Sequence, residues 1–117
     1  MTMPGDQEMR FQREVMADLK ENPDLIAWKT AYPPAGMPDI MVLGKHGLVC
    51  MFECKSYHGS PSARQKIMIE RLRKLGIRTE VVRTLDKVHK AIEEENYSNE
   101  TRDAFVKQTF GGDGDGR

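Results

Sequence analysis

The chain has 117 residues, of which 31% are charged and 7% aromatic, and its formal net charge is zero. This length suits a single domain with one modest core. No apolar run approaches the ~18 residues of a membrane span, and residues 1–7 are too short and polar for a signal peptide. We therefore expect a soluble intracellular protein that has no membrane partner.

Basic residues are concentrated in the middle of the chain. Residues 55–90 contain ten Lys or Arg and three acidic residues. Residues 1–54 contain five basic and eight acidic residues, and residues 91–117 contain three basic and seven acidic residues. A nucleic-acid-binding face requires basic residues gathered in one region rather than a high overall charge. The distribution is therefore compatible with DNA binding, and also with the basic surface that many solvated helices carry.

The two cysteines, Cys50 and Cys54, are predicted to be free thiols. On one strand they would lie roughly 13 Å apart at 3.3 Å per residue, whereas a disulfide requires Cα atoms within about 7 Å. Their spacing to His46 and His89 suits no zinc site. Free thiols are typical of a reducing compartment.

The first predicted element is an amphipathic helix over residues 7–21, ended by Pro23. Apolar residues recur at every fourth position, and they are Phe11, Val15 and Leu19. Glu8 falls within this apolar arc, whereas Glu14 falls on the opposite side. A carboxylate on a buried face is costly unless it is paired or ligated. Glu8 is therefore either a metal ligand or a first-turn residue that favours the positive end of the helix dipole.

Three strands are predicted next, at residues 25–31, 39–43 and 48–55. The Pro-rich loop at residues 32–36 separates the first two strands, since it can form neither helix nor central strand. Gly44 and Gly47 flank a turn between the second and third strands, which indicates a hairpin. The third strand is apolar on both faces and is therefore predicted to be central.

A helix, a strand and a second helix are predicted to follow. Ser62 and Gln65 form a possible capping box, but Pro61 after Ser60 is also a suitable first helical residue. The helix should stop at Gly76.

A fourth strand is predicted at residues 77–83, and Thr84 should cap the next helix. The pattern weakens from residue 96, where residues 101–110 could form a short helix and residues 111–117 should be disordered.

The predicted order is therefore α-β-β-β-α-β-α, an α/β fold around a mixed sheet. The domain is assigned to residues 7–95 and a C-terminal extension to residues 96–117.

Acidic and basic side chains occur where the central strands end. Asp39 opens the second strand, and Glu53 follows fourteen positions later, two residues before Lys55. On a strand the heads of Glu53 and Lys55 project from one face, about 6.6 Å apart. Two carboxylates with the Cys54 carbonyl oxygen can hold Mg²⁺ or Mn²⁺, and a lysine beside them can contact a phosphate or the attacking water. The sequence therefore predicts metal-dependent phosphodiester hydrolysis.

These residues resemble those of a known family. The pattern Gly36-x-Pro38-Asp39, Glu53-x-Lys55 and Ser62-x-x-Gln65, preceded by Glu8-x-x-Phe11-Gln12, is similar to the virus-type replication–repair nuclease (VRR-Nuc) domain of the PD-(D/E)XK superfamily. The resemblance covers residues 8–94. It departs from the usual pattern at Phe11 and Cys54, neither of which is a catalytic position.

The resemblance implies a restriction-endonuclease-like fold with an α-β-β-β-α-β core. It implies that Glu8, Asp39 and Glu53 bind the metal, that Lys55 is catalytic, and that Gln65 orients phosphate or water. Small stand-alone members resemble virus-encoded resolvases, which implies branched DNA such as four-way (Holliday) junctions as substrate, a homodimer, a role in DNA repair and the host cytoplasm as location.

Two alternatives to a self-sufficient nuclease stay open. The chain could be a DNA-binding module that keeps the fold without useful catalysis, or a nuclease subunit that requires a partner protein. Under each hypothesis the helix after the third strand supplies the candidate phosphate contacts. They are Arg64, Lys66, Arg71, Arg73 and Lys74.

Overall fold

The fold is described by a computed structural model that covers residues 4–30 and 34–110. The helices are α1 (Pro4–Lys20), α2 (Ala63–Lys74) and α3 (Leu85–Thr109). The strands are β1 (Ile26–Lys29), β2 (Ile40–Leu43), β3 (Val49–Cys54) and β4 (Arg78–Val82). Apart from a short 3₁₀ turn at Lys45–Gly47 between β2 and β3, the element order is the one predicted.

The four strands form one mixed sheet in the order β1-β2-β3-β4. The β1–β2 and β2–β3 pairs are antiparallel, and the β3–β4 pair is parallel. A parallel pair needs a crossover connection, which α2 provides. The predicted hairpin and the central position of β3 are both confirmed.

The hydrophobic core covers one face of the sheet. Cys50 and Phe52 of β3 are fully buried there with Val15 of α1 and Val88 of α3. Both cysteines are buried and free, as predicted. Burial raises the pKa of each thiol to about 12, so neither is a reactive thiolate near neutral pH.

The opposite face of β3 carries Met51 and Glu53, because side chains alternate along a strand. Both are about 1% exposed. Ile69 and Leu72 of α2 are also buried, yet neither belongs to the cluster that α1 and α3 form with the sheet. This indicates that α2 covers the face on which Glu53 lies.

The start of α2 is settled at Ser62. Its hydroxyl accepts a hydrogen bond from the Gln65 amide at 3.2 Å, and the Gln65 side-chain oxygen accepts one from the Ser62 amide at 2.8 Å. Both bonds of the capping box are therefore made, and Pro61 is not the first helical residue. The helix ends before Gly76, which has φ +87°, as predicted.

The weakening of the pattern from residue 96 does not mark the end of α3, which continues as one helix of 25 residues. Residues 101–109 are helical, but they belong to α3 and do not form a separate short helix. The second half of α3 lies beside the 3₁₀ turn, where His46 is 3.1 Å from Asp103 and 3.6 Å from Glu100. Beyond Glu100 every described residue is exposed.

The predictions for residues 111–117 and for residues 31–33 lie outside the described residues. None of the described helices is both long enough and apolar enough to span a membrane.

Candidate active site at the ends of β2 and β3

Asp39 is fixed at the start of β2 by hydrogen bonds on both sides. The Thr30 amide donates to the Asp39 carbonyl at 2.9 Å, and the Thr30 hydroxyl donates to the Pro38 carbonyl at 2.7 Å. On the other side the Cys54 amide donates to Oδ2 of Asp39 at 2.8 Å. The backbone on β3 therefore holds this carboxylate beside Glu53, where the sequence predicted it.

Glu53 and Lys55 meet Asp39 at the carboxyl end of β3. Nζ of Lys55 lies 3.2 Å from Oε2 of Glu53. The other carboxylate oxygen, Oε1 of Glu53, is buried and has no hydrogen-bond partner among the described residues. Such an orphaned buried acceptor is costly in a native fold unless another group contacts it. It is therefore the atom of this site best placed to take a ligand.

The site contains more carboxylate groups than positively charged groups, because Asp39 and Glu53 lie beside a single ammonium, that of Lys55. Burial, followed by the neighbouring Asp39 charge, raises the pKa of Glu53 from 4.5 to about 7. Burial also raises the pKa of Asp39, although the hydrogen bond from the Cys54 amide and the charge of Lys55 oppose that rise. Two adjacent buried carboxyls with raised pKa values are the setting in which a bound divalent cation would be favourable.

Lys55 is a charged ammonium in this arrangement. Burial alone would lower its pKa, but the hydrogen bond and charge of Glu53, and then Glu8, raise the pKa above its ordinary value. A lysine that keeps its proton cannot accept one from water. Lys55 is therefore suited to hold an anion such as a phosphate oxygen rather than to act as a general base.

Glu8 contacts the site, but through Lys55. Its Oε1 lies 3.4 Å from Nζ of Lys55, and its side chain is 30% exposed, whereas Glu14 is exposed. Glu8 therefore lies beside Lys55, and its role as a metal ligand stays a prediction. The part of the chain that the structure describes has no group of three or more His, Cys, Asp or Glu side chains arranged to hold a metal ion. The Lys55 ammonium contacts both Glu8 and Glu53, and metal binding by Glu8 together with Asp39 and Glu53 stays a prediction.

Gly36 and Gln65 shape the entry to the site. A Cβ atom on Gly36 would lie 2.5 Å from the Arg64 carbonyl oxygen, and Gly36 has φ +85°. The loop before Asp39, which we call the entry loop (residues 34–38), therefore packs directly on the first turn of α2. The side-chain oxygen of Gln65 caps that same turn, and its predicted role in orienting phosphate or water stays a prediction.

The five basic residues predicted to contact phosphate are all exposed on α2. Arg64 and Arg71 lie seven residues apart and thus on one side of the helix. Arg73 differs from the rest, because its guanidinium donates to the Thr79 carbonyl at 3.0 Å and lies 3.9 Å from Glu80. Arg73 therefore has a structural contact with β4 that the sequence did not indicate.

Two supporting residues were missed by sequence reasoning. Thr30 holds the backbone of Asp39, and Arg83 donates from Nη2 to the Gly59 carbonyl at 2.6 Å. Arg83 could have been found, because parallel strands end at the same edge of a sheet and Arg83 directly follows β4 as Lys55 follows β3. No sequence pattern indicated the role of Thr30, because Thr30 reaches Asp39 only through the pairing of β1 with β2.

The chain is similar to a solved structure described as "VRR_NUC domain". The two share 28% sequence identity with a TM-score of 0.63, over 74% of this chain and 95% of that chain. No protein-family model and no curated protein sequence matches the chain. With this likeness, the mixed four-stranded sheet and its flanking helices constitute a restriction-endonuclease-like α/β fold, as predicted.

Proposed function

We propose that this chain is an endonuclease that hydrolyses DNA phosphodiester bonds and requires Mg²⁺ or Mn²⁺. The observation that carries the proposal is the meeting of Asp39, Glu53 and Lys55 at one end of the sheet, in a chain similar to a VRR_NUC domain. Intact Asp39, Glu53 and Lys55 argue against a fold kept only for DNA binding, because a decayed site should have lost at least one of them.

The carboxylates of Asp39 and Glu53 would hold the metal ion, with the carbonyl oxygen of Cys54 as a further ligand. The unpartnered Oε1 of Glu53 and the raised pKa of both carboxyl groups support the fit of these residues to a divalent metal ion. When bound, a divalent ion supplies positive charge to the phosphate and lowers the pKa of a coordinated water.

The protein's own residues supply the remaining functions. Lys55 holds a non-bridging phosphate oxygen with its ammonium group and stabilises the charge that develops there. Glu8 keeps that ammonium in position through their ion pair. The Cys54 amide orients Asp39, and Gln65 fixes the first turn of α2 beside the entry loop.

Preference for branched DNA and action as a homodimer are further parts of the proposal that rest on resemblance to small stand-alone VRR-Nuc domains. A single domain of this size contacts a limited DNA surface, and a dimer would match the two-fold symmetry of a four-way junction. A nuclease subunit that requires a partner protein is the alternative, and it would bind DNA without cutting it when isolated.

The test is cleavage of matched linear, flapped and four-way-junction DNAs with Mg²⁺, with Mn²⁺ and with EDTA. Lys55→Ala should abolish cleavage and leave DNA binding nearly unchanged, whereas the exposed-lysine control Lys20→Ala should cleave normally. If the wild type cuts DNA in a metal-dependent way and Lys55→Ala cuts it equally well, the catalytic centre lies elsewhere. Binding without cutting by the wild type would favour the partner-dependent subunit.

A further inference from the structure

The loop that joins β3 to α2 lies at the rim of the candidate site and is held at several points. The Gly59 amide donates to the Ser56 carbonyl at 3.0 Å, which closes a turn, and Arg83 donates to the Gly59 carbonyl at 2.6 Å. A Cβ atom on Gly59 would lie 3.0 Å from the Ser56 hydroxyl and 3.5 Å from Oε2 of Glu8. The turn therefore sits directly against a residue of the site.

Tyr57 stands at the tip of this turn and is 82% exposed. Its ring meets the His58 imidazole edge to face, with centroids 4.8 Å apart and an interplanar angle of 86°. It contributes little to the core, so stability of the fold does not explain a large aromatic ring at this position. The position two residues after Lys55 places the two Cα atoms within about 7 Å of each other.

An exposed ring on a fixed turn beside a phosphate-binding lysine is suited to stack on a nucleobase. Bases stack on aromatic side chains largely regardless of sequence, since every base has a π face. A base inside a duplex has both faces covered by its neighbours and must be unstacked before a protein ring can reach it. A site of this kind therefore favours nucleotides that are already unpaired.

We propose that Tyr57, with His58 supporting its ring, stacks on an unpaired nucleobase next to the phosphate that Lys55 holds. This inference rests on the proposed nuclease function and specifies its substrate class as DNA with an unpaired nucleotide at the cleaved position. Arg83 acts as a positioning residue, because its bond to Gly59 keeps the turn against the site.

The experiment measures binding and stacking in EDTA, where no metal-dependent hydrolysis can occur. One DNA carries 2-aminopurine as the unpaired base at the branch of a flap, and the other carries it paired within a continuous duplex of equal length. Wild type, Tyr57→Phe and Tyr57→Ala are compared with Tyr97→Ala, which removes another exposed tyrosine, 72% exposed, from α3. Thermal unfolding of each variant verifies that it is folded.

Tyr57→Ala should bind the flap about 10- to 100-fold more weakly, the range expected for one lost base–aromatic stack, and bind the duplex as the wild type does. Quenching of 2-aminopurine fluorescence should persist in Tyr57→Phe and Tyr97→Ala and disappear in Tyr57→Ala. Equal losses on flap and duplex, or unchanged flap binding and quenching in Tyr57→Ala, would overturn the inference.

The outcomes for stacking and for catalysis are separable. If wild-type protein quenches the unpaired base through Tyr57 but cuts no DNA with Mg²⁺ or Mn²⁺, the stacking site stands and the proposed hydrolysis fails. If the wild type cuts DNA and Tyr57→Ala keeps the same preference for flap over duplex, the nuclease stands and the stacking site is refuted.

Discussion

At the scale of single residues, Glu53 is a buried carboxyl group whose ionisation opposes folding. Its pKa is about 7 in the folded protein against an ordinary value of 4.5. As pH rises from about 4.5 to 7, the unfolded chain loses this proton before the folded one does. The free energy of unfolding therefore falls through that window, by up to roughly 3 kcal/mol for a shift of this size.

We expect Glu53→Gln to remove most of that pH dependence. Urea unfolding in EDTA at pH 5 and pH 8 should show the wild type losing stability at the higher pH and Glu53→Gln losing much less, with a smaller slope left by Asp39. Glu70→Gln, at an exposed position of α2, is the control and should behave as the wild type. A wild type that is more stable at pH 8 than at pH 5 would refute the assigned electrostatics.

Glu8 is predicted to act on the site through Lys55. Glu8→Gln removes one of the two carboxylates that pair with the Lys55 ammonium, so that the lysine is held less firmly. Cleavage should fall about 10- to 100-fold, and the Mg²⁺ concentration for half-maximal activity should rise, as is usual when groups around a metal site are altered. Glu14→Gln, on the exposed side of the same helix, should change neither quantity. Equal effects of the two substitutions in an Mg²⁺ titration would exclude a specific role for Glu8.

At the scale of elements, the entry loop before Asp39 rests on the first turn of α2 at Gly36. Gly36 and Gly76 both have positive φ, at +85° and +87°, but a Cβ atom would strike the Arg64 carbonyl only at Gly36, since nothing lies within 4 Å at Gly76. Gly76→Ala should therefore cost about 1 kcal/mol for backbone strain alone. Gly36→Ala should cost clearly more and should also reduce cleavage, because backbone has to shift.

Urea unfolding and cleavage assays on both variants check that prediction. If Gly36→Ala were no more destabilising than Gly76→Ala, the loop would not rest on the first turn of α2. Retained activity in a destabilised Gly36→Ala variant would mean that Asp39 is positioned independently of this contact.

The elements that could be predicted from the sequence are those that depend on local patterns. The central strand β3 and the Thr84 cap are local patterns, so their residues alone identified them. The Ser62 capping box is local too, but Pro61 offered a competing start for α2, and only the structure decided between them. The contact of α3 with His46 depends on how α3 lies against the 3₁₀ turn, and the position of Glu8 beside Lys55 depends on how α1 packs on the sheet. Contacts of this kind join residues far apart in sequence, which single-sequence periodicity does not contain. Gln65 was predicted both as a cap and as a site residue; the cap is confirmed, and the site role stays a prediction.

At the scale of the whole molecule, zero net charge conceals a separation of charge. The excess of basic residues lies in the segment from Lys55 to Lys90, and α2 presents Arg64, Lys66 and Arg71 to solvent. The site itself is acidic and would repel a DNA backbone. Under the proposed function, basic residues on the neighbouring helix would offset that repulsion and allow a site with buried carboxylates to hold a polyanion.

DNA binding should therefore depend steeply on salt despite the neutral chain, and α2 should carry that dependence. The double variant Arg64→Glu/Arg71→Glu alters one side of α2, and Lys20→Glu/Lys107→Glu makes the same change in net charge at exposed positions outside α2. Each phosphate contact contributes about 0.9 to the slope of log Kd against log salt, so the α2 variant should lose about 2 from the slope and the control almost none. Fluorescence anisotropy in EDTA across a series of NaCl concentrations measures both. If the two variants weaken binding equally, the effect comes from net charge alone, and α2 does not contact the phosphates.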